Sequence, residues 1–232
     1  MSKPTFDERL EALAVLREPV RMGLYRYVVR RLGAVSRDEA AKAMGVTRAM
    51  AAFHLDKLVE HGLLRAEYRR LSGRTGRGAG RPSKLYRRSR RDFSVSLPER
   101  NYELLARLLV EEAMLGRDDA VKGGVAHRYG RSLGMRARNR ISGRSTPQRL
   151  VRCISDVLQE LAFEPVRSEA GDAVRARSCP FDPLSRSYPS VVCETAIEFV
   201  GGVIDGVGAT ALEARRDERP DRCCVVVDTR PT

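Results

Sequence analysis

Five cysteines are the softest donors in this 232-residue chain: Cys153, Cys179, Cys193, Cys223 and Cys224. Thirteen residues separate Cys179 from Cys193, and twenty-nine separate Cys193 from Cys223. Thiolates suit zinc and iron–sulfur clusters. Arg177, Arg186 and Arg222, close by in sequence, would favour the deprotonated, ligating form. The spacing contains no Cys-x-x-Cys pair, so on spacing alone scattered structural thiols are the simpler reading. Cys224 follows Cys223 directly, and in a strand the two would point to opposite faces, which makes Cys224 a poor fourth ligand. Asp182 and Glu194 are the non-cysteine candidates. Cys153 borders the apolar stripe of a helix and reads as a buried structural thiol.

A second chemistry lies in the charge. Residues 1–91 hold 22 Lys+Arg and 9 Asp+Glu, a net of +13, whereas residues 92–232 hold 21 of each. Residues 65–91 alone carry eleven cations against one acid, Glu67. A basic first part joined to a neutral remainder points to a polyanion-binding module attached to something else. A merely solvated basic surface is the plain alternative. Hydrophobic content of 42% supports a packed core, and no stretch reaches the ~20 apolar residues of a membrane span. The N-terminus lacks the apolar stretch of a signal peptide. The expected location is therefore the cytoplasm, where cysteines are thiols or ligands rather than disulfides.

These groups need elements to position them. Apolar spacing predicts a helix over 8–16 and a second from Pro19, with Val20, Leu24, Tyr25, Val28 and Leu32 on one face and Gly33 ending it. Ser36-Arg37-Asp38-Glu39 is a capping box that opens a short helix ending at Met44-Gly45. Thr47 caps the next helix, with Ala51, Leu55 and Leu58 on its apolar side and Gly62 as its stop. Strands at 63–70 and 84–87 flank a Gly/Arg-rich loop, 71–83. Further helices are expected over 99–115, 118–139, from Thr146-Pro147, and over 194–207. Short strands are expected at 163–167, 173–177, 211–215 and 224–229. Cys179, Cys193 and Cys223 would then all lie at element ends, where separate segments can converge.

Helix, three-residue turn, helix, strand, basic loop, strand is the order of a winged helix-turn-helix. Such a fold must send the N-terminal part of its second helix into the major groove while the other face packs inward. Thr47, Arg48, Ala52, Phe53 and Lys57 are the candidates on that helix. Arg74, Arg77, Arg81 and Lys84 are the candidates in the wing, reaching phosphate or the minor groove. His54 is expected to pack at a helix interface and His61 to be a solvated cation.

Residues 18–70 resemble the ArsR-type winged-helix regulators, on Gly45-Val46-Thr47, Phe53-His54-Leu55-Asp56-Lys57-Leu58 and His61-Gly62-Leu63-Leu64. Gly80-Arg81-Pro82-Ser83-Lys84-Leu85-Tyr86 and Ser96-Leu97-Pro98-Glu99-Arg100-Asn101-Tyr102 resemble the SufR-like subgroup, repressors of iron–sulfur cluster assembly genes. That resemblance implies that Cys179, Cys193 and Cys223 hold a [4Fe–4S] cluster that senses iron or redox status. Zinc, or no cofactor, are the alternatives. A fourth cysteine found between Cys193 and Cys223 in some relatives is missing here.

The expected class is α+β: a winged helix-turn-helix over 1–91, a helical connector and dimerisation region over 92–145, and a small α/β sensor over 146–232. The expected function is a homodimeric, sequence-specific repressor on a pseudo-palindromic operator of double-stranded DNA. A metal-free regulator answering a small molecule or thiol oxidation is the alternative. A catalytic C-terminal cysteine is a weaker one, since His127 is the sole histidine outside the first 91 residues. Gly201-Gly202 and Gly206-x-Gly208 fall within or after a helix, the wrong context for a phosphate loop.

Overall fold

The structure is a computed structural model and describes residues 4–70, 82–115, 124–141, 146–217, 223 and 225–230. They fall into two compact units, Met1–Val95 and Ser96–Thr232. Helix, strand and turn are mixed in both, and the class is α+β.

In the first unit Phe6–Val15 (α1) starts at a capping box. The Thr5 hydroxyl accepts from the Glu8 amide, and the Glu8 carboxylate accepts from the Thr5 amide. Pro19–Val29 (α2) begins with Pro19 in its first turn, where the missing N–H costs nothing. The Glu18 carboxylate accepts from the amides of Val20 and Arg21. The helix ends at Val29, earlier than its apolar pattern suggested. The chain leaves it at Arg30 to reach Val35–Ser36 (β1), and Leu32 is fully exposed rather than on a buried face.

Ser36 then opens Arg37–Met44 (α3) through a second capping box with Glu39. Gly45 ends α3 in the left-handed region, at φ 63°, which glycine adopts at no steric cost. Thr47 accepts from the Met50 amide and caps Arg48–Glu60 (α4). Leu64–Arg69 (β2) and Ser83–Arg88 (β3) form an antiparallel hairpin, with Leu64 opposite Arg88 and Arg69 opposite Ser83. The sheet order is β1-β3-β2. Ala12, Leu24, Val28, Val35, Ala40, Ala51, Leu55, Leu58 and Leu64 make the core.

The second unit contains Tyr102–Leu115 (α5), Val125–Arg138 (α6), Pro147–Glu160 (α7), Pro165–Arg167 (β4) and Val174–Ala176 (β5). Leu184–Ser187 (α8), Pro189–Val207 (α9), Leu212–Arg216 (β6) and Val225–Thr229 (β7) complete it. The four strands are antiparallel in the order β4-β5-β7-β6. Leu104, Leu105 and Leu108 of α5 share one core with Ile154, Leu158, Phe163, Phe199 and Val203. α5 starts three residues later than Glu99, because the Asn101 side chain accepts from the Leu104 amide and sets its first turn.

One reading is corrected here. α9 begins at Pro189, not Glu194, since a proline in the first turn can open a helix without a side-chain cap. Cys193 therefore lies in the second turn of a 19-residue helix, not at an element end. Glycine in a helix costs about 1 kcal/mol against alanine, yet Gly130, Gly134, Gly202 and Gly206 are where α6 meets α9. A Cβ added to Gly130 would lie 2.0 Å from the Phe199 carbonyl oxygen, and one on Gly134 2.3 Å from that of Val203. A Cβ on Gly202 would lie 2.0 Å from the His127 carbonyl oxygen, and one on Gly206 2.2 Å from that of Arg131. The two backbones touch, and only glycine leaves the room.

Candidate functional site

The first unit presents one face of α4. Ala51, His54, Leu55 and Leu58 point inward. Arg48, Ala49, Met50, Phe53, Asp56 and Glu60 are exposed, Phe53 to 58%. Phe53 touches the His54 ring edge-on at 5.2 Å between centroids, and most of its surface is left available to a partner. Ala52 and Lys57 are half-buried beside it, and the Lys57 ammonium lies 2.7 Å from Glu60. Arg48 pairs with Asp38 at 2.8 Å. Both are more than half exposed, so solvent screens the pair and the arginine can be recruited elsewhere. His54 is buried between α4 and α2, where its Nδ1 accepts from Arg21 Nε at 3.4 Å.

Sequence reasoning missed the link between α4 and the wing. The Asp56 carboxylate accepts from Lys84 Nζ and from the Tyr86 hydroxyl, both at 2.7 Å. Burial pushes the Asp56 carboxyl up. The hydrogen bonds from Lys84 and Tyr86, with the charges of Lys84 and Arg37, outweigh it and hold the group below the usual carboxylate range. Tyr86 is fully buried, and its hydroxyl is pushed up by burial and by the Asp56 charge. Lys84 is thus a brace at the wing base as well as a candidate contact. A cleft of about 530 Å³ lies beside this brace, lined by Ser36, Arg37, Asp38, Arg48, Tyr68 and Lys84 among others. Arg74, Arg77 and Arg81 lie outside the described residues.

In the second unit two of the three thiols meet. Cys179 lies in the loop after β5 and Cys223 just before β7. The Cys223 thiol hydrogen-bonds Cys179, which pulls the Cys179 thiol down to about 6 against the effect of burial. The Ser185 hydroxyl and the Phe181 amide add to the pull, and Asp182 opposes it. Cys179 thus favours the thiolate at neutral pH. Cys193 is buried in α9. Cys153 is buried in α7, and burial followed by the Asp156 charge pushes its thiol up, as an inert thiol requires. Cys224 lies outside the described residues. Among the described residues no three His, Cys, Asp or Glu side chains converge to hold a metal ion.

The Cys179 loop is held firmly. Phe181 is fully buried, edge-on to Phe163 with ring centroids 5.8 Å apart. Asp182 takes both its oxygens to Arg186 at 2.6 Å, and Arg100 lies 3.3 Å away. This carboxylate is committed to arginine, not poised as a ligand. His127 pairs with Asp205 at 3.0 Å and lies beside Gly201. Gly201 is eight residues along α9 from Cys193, roughly 12 Å at the helical rise. A Cys193–His127 nucleophile–base pair is not formed.

Residues 16–67 match the family model of a helix-turn-helix domain. The first unit carries a helix-turn-helix domain. A helix-turn-helix domain supports a DNA-binding transcription regulator. The match runs from the end of α1 through α2, β1, α3 and α4 into β2. No curated protein matches the chain. Among the described residues no helix is long and apolar enough to cross a membrane.

Proposed function

We propose that this regulator is a homodimeric repressor of the SufR-like kind, whose second unit reports the state of its cysteines to DNA. Arg48, Ala52, Phe53 and Lys57 face the major groove, and Thr47 sets where the reading helix begins. Arg74, Arg77, Arg81 and Lys84 bring the wing to phosphate or the minor groove, and two copies read a pseudo-palindromic operator. Helix α5 is the dimerisation element. Leu104, Leu105 and Leu108 are spent on its own core, whereas Ala106, Val110 and Met114 recur every four residues and are exposed. The observation that carries the DNA reading is an exposed α4 face braced to a basic hairpin through Asp56.

For the second unit, Cys179, Cys193 and Cys223 are the proposed ligands of a [4Fe–4S] cluster, with zinc as the alternative occupant. The donors fit such a group in type. Cys179 and Cys223 already share a hydrogen bond, and Cys179 favours the ligating thiolate. When bound, the group supplies a dependence on iron supply and oxidants. The chain's part is to bring two thiols together at the ends of β5 and β7 and to offer a third from α9.

The same contact supports a second reading without metal. Cys179 and Cys223 would give two electrons and two protons to hydrogen peroxide, which leaves as two waters, and form a disulfide.

Both are tested by iron, sulfide and zinc content and the visible spectrum of protein purified without oxygen, followed by operator binding with and without the bound group. Iron and sulfide near stoichiometry, lost in Cys193→Ser, support the cluster. Metal-free protein after reconstitution overturns it and leaves the dithiol reading to a thiol titration before and after peroxide.

A further inference from the structure

The chain passes from the first unit to the second once, at residues 95–96. Four to six residues later it is bonded to the loop that carries Cys179. Arg100 Nη1 donates to the Cys179 carbonyl at 3.1 Å and to the Ser178 hydroxyl at 3.2 Å. The Asn101 amide donates to the Pro180 carbonyl at 2.8 Å. Arg100 Nη2 donates to Asp182, and the Tyr102 hydroxyl donates to the Asp182 carbonyl. The partners lie about eighty positions apart, as the Arg100–Asp182 separation of 82 shows.

We infer that Arg100, Asn101 and Tyr102 are positioning residues that couple the Cys179 loop to the DNA-binding unit. The inference rests on the sensory reading above. Three of the acceptors are the carbonyls of Cys179, Pro180 and Asp182, so the contact is with the backbone that must shift if the Cys179 sulfur gains a substituent or a ligand. Arg100 and Asp182 keep 17% of their side-chain surface exposed. Letting go would leave the largely buried Arg100 guanidinium short of acceptors, a costly state, although Asp182 would keep Arg186. The network therefore holds or re-forms elsewhere, and either outcome moves the start of α5 and the chain that leads into it.

The test uses the full-length protein and a duplex selected by it from a randomised pool. Methyl methanethiosulfonate transfers a methylthio group to the Cys179 sulfur and releases methanesulfinate. In the wild type this is expected to change affinity for the duplex at least about fivefold, the low end of usual couplings between sites. The response should vanish in Cys179→Ser, which assigns it to that thiol. The duplex should also change the rate of Cys179 methylthiolation.

In Arg100→Ala the unmodified affinity is expected within about twofold of wild type, and both responses shrink below about twofold. Tyr102→Phe, which removes a single hydroxyl, should weaken both while leaving the fold intact, and it decides the matter if Arg100→Ala does not fold. A merely structural brace would lower the melting temperature in these variants and leave the responses whole. Full responses in the folded variants overturn the coupling. A wild type that binds the duplex but ignores methylthiolation overturns the sensory reading, and the coupling with it.

Discussion

The Tyr86 hydroxyl, on the buried side of the wing, donates a 2.7 Å hydrogen bond to Asp56 on the outward face of α4. One carboxylate oxygen thus joins the reading helix to the returning wing strand, with Lys84 as its second donor. The relative placement of helix and wing inside this unit is set by that oxygen.

Tyr86→Phe should cost ~0.5–1.5 kcal/mol of stability, the usual worth of one hydrogen bond. Asp56→Ala should cost ~1–3 kcal/mol, since it strands a buried hydroxyl as well. Urea midpoints measure both. Asp56 has a folded-state value below the ordinary one, so its share of stability is present above the ordinary carboxylate range. That share is lost as pH falls through the depressed folded value. The difference between wild type and Asp56→Ala should therefore narrow on acidification. A constant difference down to acid pH would count against the ion-paired form.

Arg81→Ala and Arg77→Ala should each weaken binding to every duplex alike and reduce the slope of log affinity against log salt by ~0.9, one phosphate contact each. Phe53→Ala should instead weaken the preferred duplex more than a scrambled one. Equal loss on both duplexes would remove Phe53 from base reading.

Gly202→Ala should destabilise the second unit by more than ~1–3 kcal/mol, the ordinary cost of overpacking, because the clash is with backbone that has no rotamer to change. Gly201→Ala is the control. Its Cβ would meet only the His127 ring, at 3.9 Å, and alanine gains up to about 1 kcal/mol over glycine in a helix. Thermal melts of the two neighbours should move in opposite directions.

In metal-free protein, Cys179 should react with iodoacetamide at a rate that rises through about pH 6 and levels off above it, following its thiolate. Cys153 should stay slow well beyond that. Cys223→Ala removes the first cause of the lowered value, so the Cys179 profile should move to higher pH. Peptide mass spectrometry reads each site separately.

The first unit was legible in the sequence because its signals are local. Thr47, Ser36 with Glu39, Pro19, Gly45 and Gly62 each act within four residues of where they stand, and the helices start or stop there. Leu32 misled because apolar spacing continues after the backbone has left the helix. Strand β1 has two residues, too few to alternate. In the second unit the decisive partners are remote. Nothing near Arg100 announces Asp182, and nothing near Gly130 announces Phe199. Glycine at four-residue spacing in α6 and again in α9 was the available signal for the close crossing. Taken one helix at a time, each glycine is only a cost against alanine. Cys179 and Cys223 were marked by residue type alone, and their contact depends on β5 and β7 being neighbours in the sheet.

The α6–α9 crossing also fixes where this unit can bend. Four glycines leave neither water nor side chains between the two backbones, so the pair has no cushion and behaves as one stiff beam. Amide protons along its inner turns should exchange with solvent last of all. Flexing is left to the turns before and after the crossing, and Cys193, in the second turn of α9, precedes it.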